Sequence, residues 1–350
     1  MLDRIITHAE VLRIVADLAP EHRIVGPVLR GGQYFYEILT DLSGLDLTFS
    51  YCVYGPRAFL FPPTETLFQF SRQNGRFEST LSIERVPTAF VGVHPCDINA
   101  IRLLDRVFSK DHRDEHYLSR RECAFIIGVD CAKECTVGVF CADMHGNVAK
   151  DGFDLMLFPL EQGSGPNDMR YGLVFGSKRG EVRLQKGSIG AIPKAADERA
   201  MEEYQRRKEA AFPHRLKTRL EELPSLLNRS YDSLLWEATA RRCYSCGSCN
   251  MACPTCYCFN IFDETDMTLT RGERKREWDG CQLEKFAEVA GPHNFRPKAA
   301  SRLRHRIFRK AKWVKDQSGI AGCVGCARCD RACTAKINSV EIYNQLAEEI

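Results

Sequence analysis

Apolar and polar positions along this chain follow two different periods, and the change between them divides it. Residues 3–17 set Ile5, Ile6, Val11, Ile14, Val15 and Leu18 on one stripe, the spacing of an amphipathic helix. Short apolar runs bounded by turn residues follow at Asp46–Tyr54, Ala58–Phe61, Ala89–Val93 and Ala124–Val129, and they predict strands. Ile98–Phe108 predicts a helix after the run ending at His94, which makes a strand–loop–helix unit. Further strands are expected at Phe153–Pro159 and Gly172–Phe175. The pattern fades over Gly176–Lys194, then returns as a charged helical period over Ala195–Ala211 that Pro213 and Pro224 break. The chain is therefore expected to divide into an α/β domain over 1–200, a helical linker over 201–230 and a helical, cysteine-rich domain over 231–350.

Composition adds one outlying quantity. The 350 residues are 44% hydrophobic and 27% charged, as in a folded globular protein, and the net charge of +3 is too small to argue for nucleic acid. No apolar run reaches the length of a membrane helix, and Met1–Ala16 lacks a signal-peptide core, so a cytoplasmic protein without a membrane span is expected. Against that background stand 17 cysteines, ten of them in two tight groups after Arg242. In a reducing compartment such clusters are more often metal ligands than disulfides.

The first group reads Cys243-Tyr-Ser-Cys246-Gly-Ser-Cys249-Asn-Met-Ala-Cys253-Pro254, the C-x2-C-x2-C-x3-C-P run of bacterial ferredoxins. Three thiolates at that spacing wrap three corners of an iron–sulfur cube, and the fourth cysteine leads the chain away. A second copy follows at Cys323, Cys326, Cys329 and Cys333, with Thr334 in place of the proline. Two [4Fe–4S] clusters are expected. In two-cluster ferredoxins the fourth cysteine of each run ligates the other cluster. One set would then be Cys243, Cys246, Cys249 and Cys333, and the other Cys323, Cys326, Cys329 and Cys253. The fold class expected is α+β, an N-terminal α/β domain followed by an α-helical ferredoxin-like domain with two clusters. The competing reading is a zinc-stabilised binding module, but zinc sites are usually built from separated pairs and two complete runs fit them poorly.

The remaining cysteines divide into two sets. Cys256, Cys258 and Cys281 are read as thiols packed around a cluster. Cys96 follows one predicted strand, and Cys131, Cys135 and Cys141 lie on a loop after another. If those strands are neighbours, their carboxyl ends bring the four thiols together where α/β sheets place ligands. They are candidates for a third cluster, against the alternative of buried apolar thiols. Cys52 and Cys123 sit in apolar runs and receive no role. No glycine-rich dinucleotide or phosphate loop is present, and no His-Glu-x-x-His spacing. A catalytic constellation cannot be picked out, so a relay that is not catalytic alone is expected. The basic segment from Arg296 to Lys315 reads as an amphipathic helix with either a docking surface or a solvated face.

Several stretches occur here in one order: Cys-Pro-Thr-Cys-Tyr-Cys-Phe (253–259), Trp278-Asp279-Gly280-Cys281, Gly291-Pro292-His293-Asn294-Phe295-Arg296-Pro297 and the second cysteine run. His94-Pro95-Cys96-Asp97 and Gly152-Phe153-Asp154 precede them. Together they resemble the β subunits of cytoplasmic sulfhydrogenases, the soluble [NiFe] hydrogenases coupled to NAD(P), and equally the A subunits of anaerobic sulfite reductases. The resemblance implies an electron-transfer subunit working between a flavin subunit that handles NAD(P)H and the [NiFe] hydrogenase small and large subunits, or beside sulfite reductase subunits. The family's Cys-Phe-Cys pattern is met here only by Phe140-Cys141, since residue 139 is Val. A flavin bound in the N-terminal domain of a self-sufficient enzyme is the remaining alternative.

Overall fold

The computed structural model describes residues 2–73, 75–161, 168–187, 189–291 and 293–349. Its first helix starts later than the apolar stripe implies. Thr7 and Glu10 cap it reciprocally: the Thr7 side chain accepts from the Glu10 N–H (3.2 Å), and the Glu10 carboxylate accepts from the Thr7 N–H (2.8 Å). Helix α1 (His8–Leu18) begins there, and the residues before the cap are strand β1 (Arg4–Thr7). The first third of the helix expected over 3–17 is thus outside it, with Ile5 and Ile6 of β1 buried in different clusters.

Strands β2 (Arg23–Arg30) and β3 (Gln33–Ile38) form a hairpin. The run Asp46–Tyr54, expected as a strand, is a loop with a bridge from Cys52 to Tyr34. Asp46 folds it back by accepting from the Thr48 N–H (2.7 Å) and the Tyr34 hydroxyl (2.5 Å), a local alternative to ladder bonding. Ala58–Phe61, also expected extended, is mostly the one-turn helix α2 (Arg57–Leu60), with Pro56 in helical conformation ahead of it. After the hairpin of β4 (Thr64–Gln73) and β5 (Arg76–Leu81) come β6 (Thr88–Val93), α3 (Pro95–Ser109), α4 (Glu115–Glu122) and β7 (Ala124–Val129). Strands β8 (Leu155–Glu161) and β9 (Arg170–Phe175) and helices α5 (Lys178–Gly187) and α6 (Ala195–Ala211) complete this half.

The seven-stranded sheet runs β1-β9-β8-β7-β6-β2-β3, parallel through β2, β6, β7 and β8. Every residue of β6 and β7 is buried, which explains their continuous apolar runs: a central parallel strand has a covered layer on both faces. Ala89, Val91, Phe125 and Ile127 pack with Val11, Ile14 and Val15 of α1 on one face. Phe90, Ala124 and Ile126 pack with Ile98, Ile101 and Leu104 of α3 on the other. A bulge at Gly92 (φ 77°) shifts the ladder between Val91 and Val93, and so returns Val93 to the face of Phe90.

The C-terminal part is not all helical. Helices α7 (Leu223–Arg229), α8 (Leu235–Ala240) and α9 (Ser248–Met251) lead into strands β10 (Phe259–Thr265) and β11 (Arg271–Trp278). These strands join β4 and β5 in a four-stranded sheet of order β10-β11-β4-β5, so the two ends of the chain share one ladder. Arg276 fixes the joint: its Nε donates to Glu65 (2.6 Å), to which Arg120 also donates (2.6 Å), and its Nη2 donates to Asp114 (3.2 Å). Helix α10 (Ala299–Phe308) continues through a π turn at Arg309–Trp313 into α11 (Val314–Ser318), followed by α12 (Arg328–Arg331) and α13 (Ser339–Glu348). Among the described residues no helix is long and apolar enough to cross a membrane.

Candidate metal centres

The two cysteine runs fold alike, position by position. Ser245 (φ 52°) and Gly325 (φ 67°) stand at one motif position, Gly247 (φ 74°) and Ala327 (φ 54°) at the next, all left-handed. Each first turn aims a backbone N–H at a sulfur: Ser245 donates to Cys243 Sγ (3.4 Å) and Gly325 to Cys323 Sγ (3.3 Å). The short helices that follow, α9 and α12, touch each other. After them the Cys256 N–H donates to the Cys253 carbonyl (3.2 Å), and the Lys336 N–H to the Cys333 carbonyl (3.0 Å). Equal spacing has produced equal backbones.

One cavity is lined by Cys323, Cys326 and Cys329 of the second run together with Cys253 of the first. Arg306 and Lys310 of the helix that begins with α10 line it as well, one turn apart. This corrects the reading of the basic segment as a docking or solvated face, because Arg302 and Arg306 are buried. Arg302 is held by the carbonyls of Arg296 (3.0 Å) and Pro297 (2.6 Å) and by Ser245 Oγ of the first run (2.9 Å). The Nε of Arg306 has no hydrogen-bond partner. Burial opposes the Arg306 charge, yet the thiols of Cys249, Cys329, Cys253 and Cys281 outweigh it and raise its pKa well above the usual value. Burial likewise pushes the Cys323 thiol up to about 11. Cys253 goes the other way: against its burial, Lys310 and the Thr255 hydroxyl hold it below the ordinary value. Four thiols around one cavity with two cations in its wall form a donor set suited to an iron–sulfur cube, whose thiolates need compensating charge when buried.

At the first run, Cys243 faces Gln282 (Sγ to Oε1, 3.7 Å), and Cys246 is exposed. Cys281 lies beside it, with Asn250 donating to its sulfur (3.4 Å). Cys256 and Cys258 form a hydrogen-bonded pair; that bond, with Lys310 and Arg57 opposing burial, lowers the Cys256 pKa well below normal. Pro292, part of the stretch after Cys281, lies outside the described residues.

The N-terminal thiols also converge. β6 and β7 are parallel neighbours, and a second cavity beyond their carboxyl ends is lined by Cys96, Cys131, Cys135 and Cys141. Val139 lies in the same wall, at the position where the Cys-Phe-Cys pattern would set a further thiol. Burial raises the pKa values of Cys96 and Cys131 well above the ordinary thiol value. Cys326 and Arg328 of the second run line this cavity too, so Cys326 belongs to both. The contact is rigid. Arg328 makes two buried bonds to Asp97 (2.5 and 2.7 Å), and the Phe140 N–H donates to the Gly325 carbonyl (2.9 Å). A Cβ on Gly325 would strike the Phe140 carbonyl. Sequence reasoning missed Arg306, Lys310 and Arg328, because charged residues on a helix read as solvent-facing. The four-residue spacing of Arg302, Arg306 and Lys310 was the available signal.

Comparison with known proteins accords with this chemistry. A family model described as a 4Fe-4S dicluster domain matches residues 242–337. The chain is 31% identical over 335 residues to the sulfhydrogenase 2 subunit beta of Pyrococcus furiosus, across 93% of this chain and 92% of that one. The C-terminal part therefore carries a 4Fe–4S dicluster domain, and the chain is an iron–sulfur electron-transfer subunit. It belongs to the sulfhydrogenase beta-subunit family.

Proposed function

We propose that the chain relays electrons through three [4Fe–4S] clusters in a fixed spatial order. The N-terminal centre is held by Cys96, Cys131, Cys135 and Cys141, the middle one by Cys253, Cys323, Cys326 and Cys329, and the outer one by Cys243, Cys246, Cys249 and Cys333. The observation that carries the reading is the sharing of Cys326 by two thiol-lined cavities. The matched backbones of the two runs support the exchange of fourth ligands: Cys253 reaches the second run, and the same exchange would give Cys333 to the first.

When bound, each cluster supplies a one-electron couple. The chain's own residues set the path. Arg306 faces thiols of both C-terminal groups, and the Asp97–Arg328 pair keeps the N-terminal loop on the second run. Exposed Cys246 makes the outer end the natural docking side for a partner. The partners proposed are a flavin subunit oxidising NAD(P)H and the [NiFe] small and large subunits, in a cytoplasmic complex. The similarity to a sulfhydrogenase beta subunit favours this over a sulfite reductase. The N-terminal centre belongs to a domain over 1–200 and the other two to one over 231–350, joined by the helices of 201–230.

Anaerobic purification of the complex tests this. The expected result is a co-purifying nickel protein and about twelve irons per copy of this chain, four per cube. A sirohaem partner would overturn the hydrogenase assignment, and about eight irons would remove the N-terminal centre.

A further inference from the structure

One cavity of the described structure belongs to none of these centres. It measures about 720 Å³, within the range of small-molecule sites, and lies beyond the carboxyl ends of β6, β7 and β8. Ligands of open α/β sheets bind at that edge. It shares Ser50, His94, Cys131 and Cys135 with the N-terminal thiol cavity, so whatever fills it stands against that centre.

Its walls are of three kinds. Leu47, Val129, Leu160 and Met169 are apolar, and the rings of Phe49 and His94 stack at 4.1 Å, nearly parallel at 4°. Tyr171 lines the cavity at 1% exposure, and its hydroxyl has no hydrogen-bond partner. A buried, unpaired hydroxyl is costly in a finished structure, and a ligand oxygen or nitrogen would satisfy it. Two cations, Lys133 and Arg207, stand at the outside, both exposed; Arg207 lies 3.8 Å from Glu203, and Glu134 in the same rim is paired with Arg215. Asp130, by contrast, already accepts from Lys208 (2.7 Å) and Tyr204 (2.9 Å), and Lys208 offsets its charge. An apolar slot with an aromatic wall, one inner hydrogen-bonding group and a basic rim fits a flat heteroaromatic ring with an anionic tail.

We infer that this cavity binds a flavin mononucleotide on this chain itself, in addition to the flavin proposed for a partner. A neighbour made of one-electron centres selects the flavin, which can release its electrons singly, whereas a nicotinamide gives a hydride. The fully reduced ring gives up two electrons and its ring protons: each electron reduces the adjacent iron–sulfur centre in turn, and the protons leave to solvent. The choice of flavin over nicotinamide and the hand-off rest on the cluster reading of Cys131 and Cys135; the fit of the cavity to a flat ring with an anionic tail does not.

The test uses the full chain, purified anaerobically with its iron and stripped of flavin by desalting. It is equilibrated with FMN or riboflavin, and bound flavin is read by fluorescence after ultrafiltration. One FMN per chain is expected to bind saturably. Tyr171→Phe should weaken it about three- to tenfold, the worth of one hydrogen bond, at unchanged unfolding midpoint. The double variant Lys133→Ala, Arg207→Ala should weaken FMN but leave riboflavin alone. No saturable binding, or binding that none of these changes affects, overturns the proposal, as does displacement of FMN by NADPH. Iron content measured on the same samples reports on the cluster reading separately.

Discussion

Arg306 is held among the cysteines by charge and not by hydrogen bonds at its Nε. It is buried, its Nε is unpaired, and it faces Cys249, Cys329, Cys253 and Cys281. Reduction adds negative charge to a cluster, so a nearby buried cation favours the reduced form. Arg306→Leu is expected to move the midpoints of both C-terminal centres to more negative values in an EPR-monitored redox titration, at constant iron content. Unmoved midpoints would assign Arg306 to packing alone. The exchanged ligand has its own test. Cys253→Ala should strip the centre held by Cys323, Cys326 and Cys329 and spare the one on Cys243, Cys246 and Cys249, although Cys253 follows the latter in sequence. Loss of the first-run signal instead would mean that each run keeps its own fourth cysteine. At this scale the sequence was most informative about thiols, whose spacing is their chemistry. It was least informative about the cations, because an arginine turned inward has the same local pattern as one turned outward.

Elements were legible where burial was uniform or periodic. β7 and α6 match their expected limits, since a doubly covered strand and an amphipathic helix both leave a clear period. The β10–β11 hairpin left none, because cross-strand pairs such as Arg274–Asp263 (2.7 Å) and Lys275–Glu264 (2.6 Å) make it look like charged loop. Its anchorage is buried, however. Arg276→Met leaves Glu65 with one of its two arginines and Asp114 without one, and should cost about 3–5 kcal/mol of unfolding free energy in urea. An unchanged urea midpoint would show the joint to be incidental. Helix α10 has a pH signature. Burial, then the charges of Arg296 and Arg309, lower the pKa of His305 to about 4. A depressed histidine is neutral in the fold and protonates first when unfolded, so its contribution is whole above about pH 6.5 and declines as pH falls towards 4. His305→Gln should flatten that decline between pH 7 and pH 5, followed by urea unfolding.

Over the whole molecule, the two halves are joined by the four-stranded sheet and by buried bonds such as Asp97–Arg328 and Arg57 to the Cys256 carbonyl. Asp97→Asn leaves a buried guanidinium undercompensated. It should lower iron at the N-terminal and middle centres while the outer one keeps its spectrum; equal retention at all three would make the pair dispensable. This interlocking was hidden in the sequence because its partners lie far apart along the chain, as Glu65 and Arg276 do. It also sets a timetable for synthesis. β4 carries Phe68 and Phe70 and awaits β11 on one edge. That partner emerges from the ribosome roughly 200 residues later, about 10–40 s at ordinary elongation rates. Until then the hairpin presents an open, aromatic edge to the cell, the kind of surface on which nascent chains associate wrongly. Cys253 likewise meets its companions only when the last tenth of the chain appears. On the proposed ligand set, loading of the middle centre follows translation, and until then β4 lacks its partner strand β11.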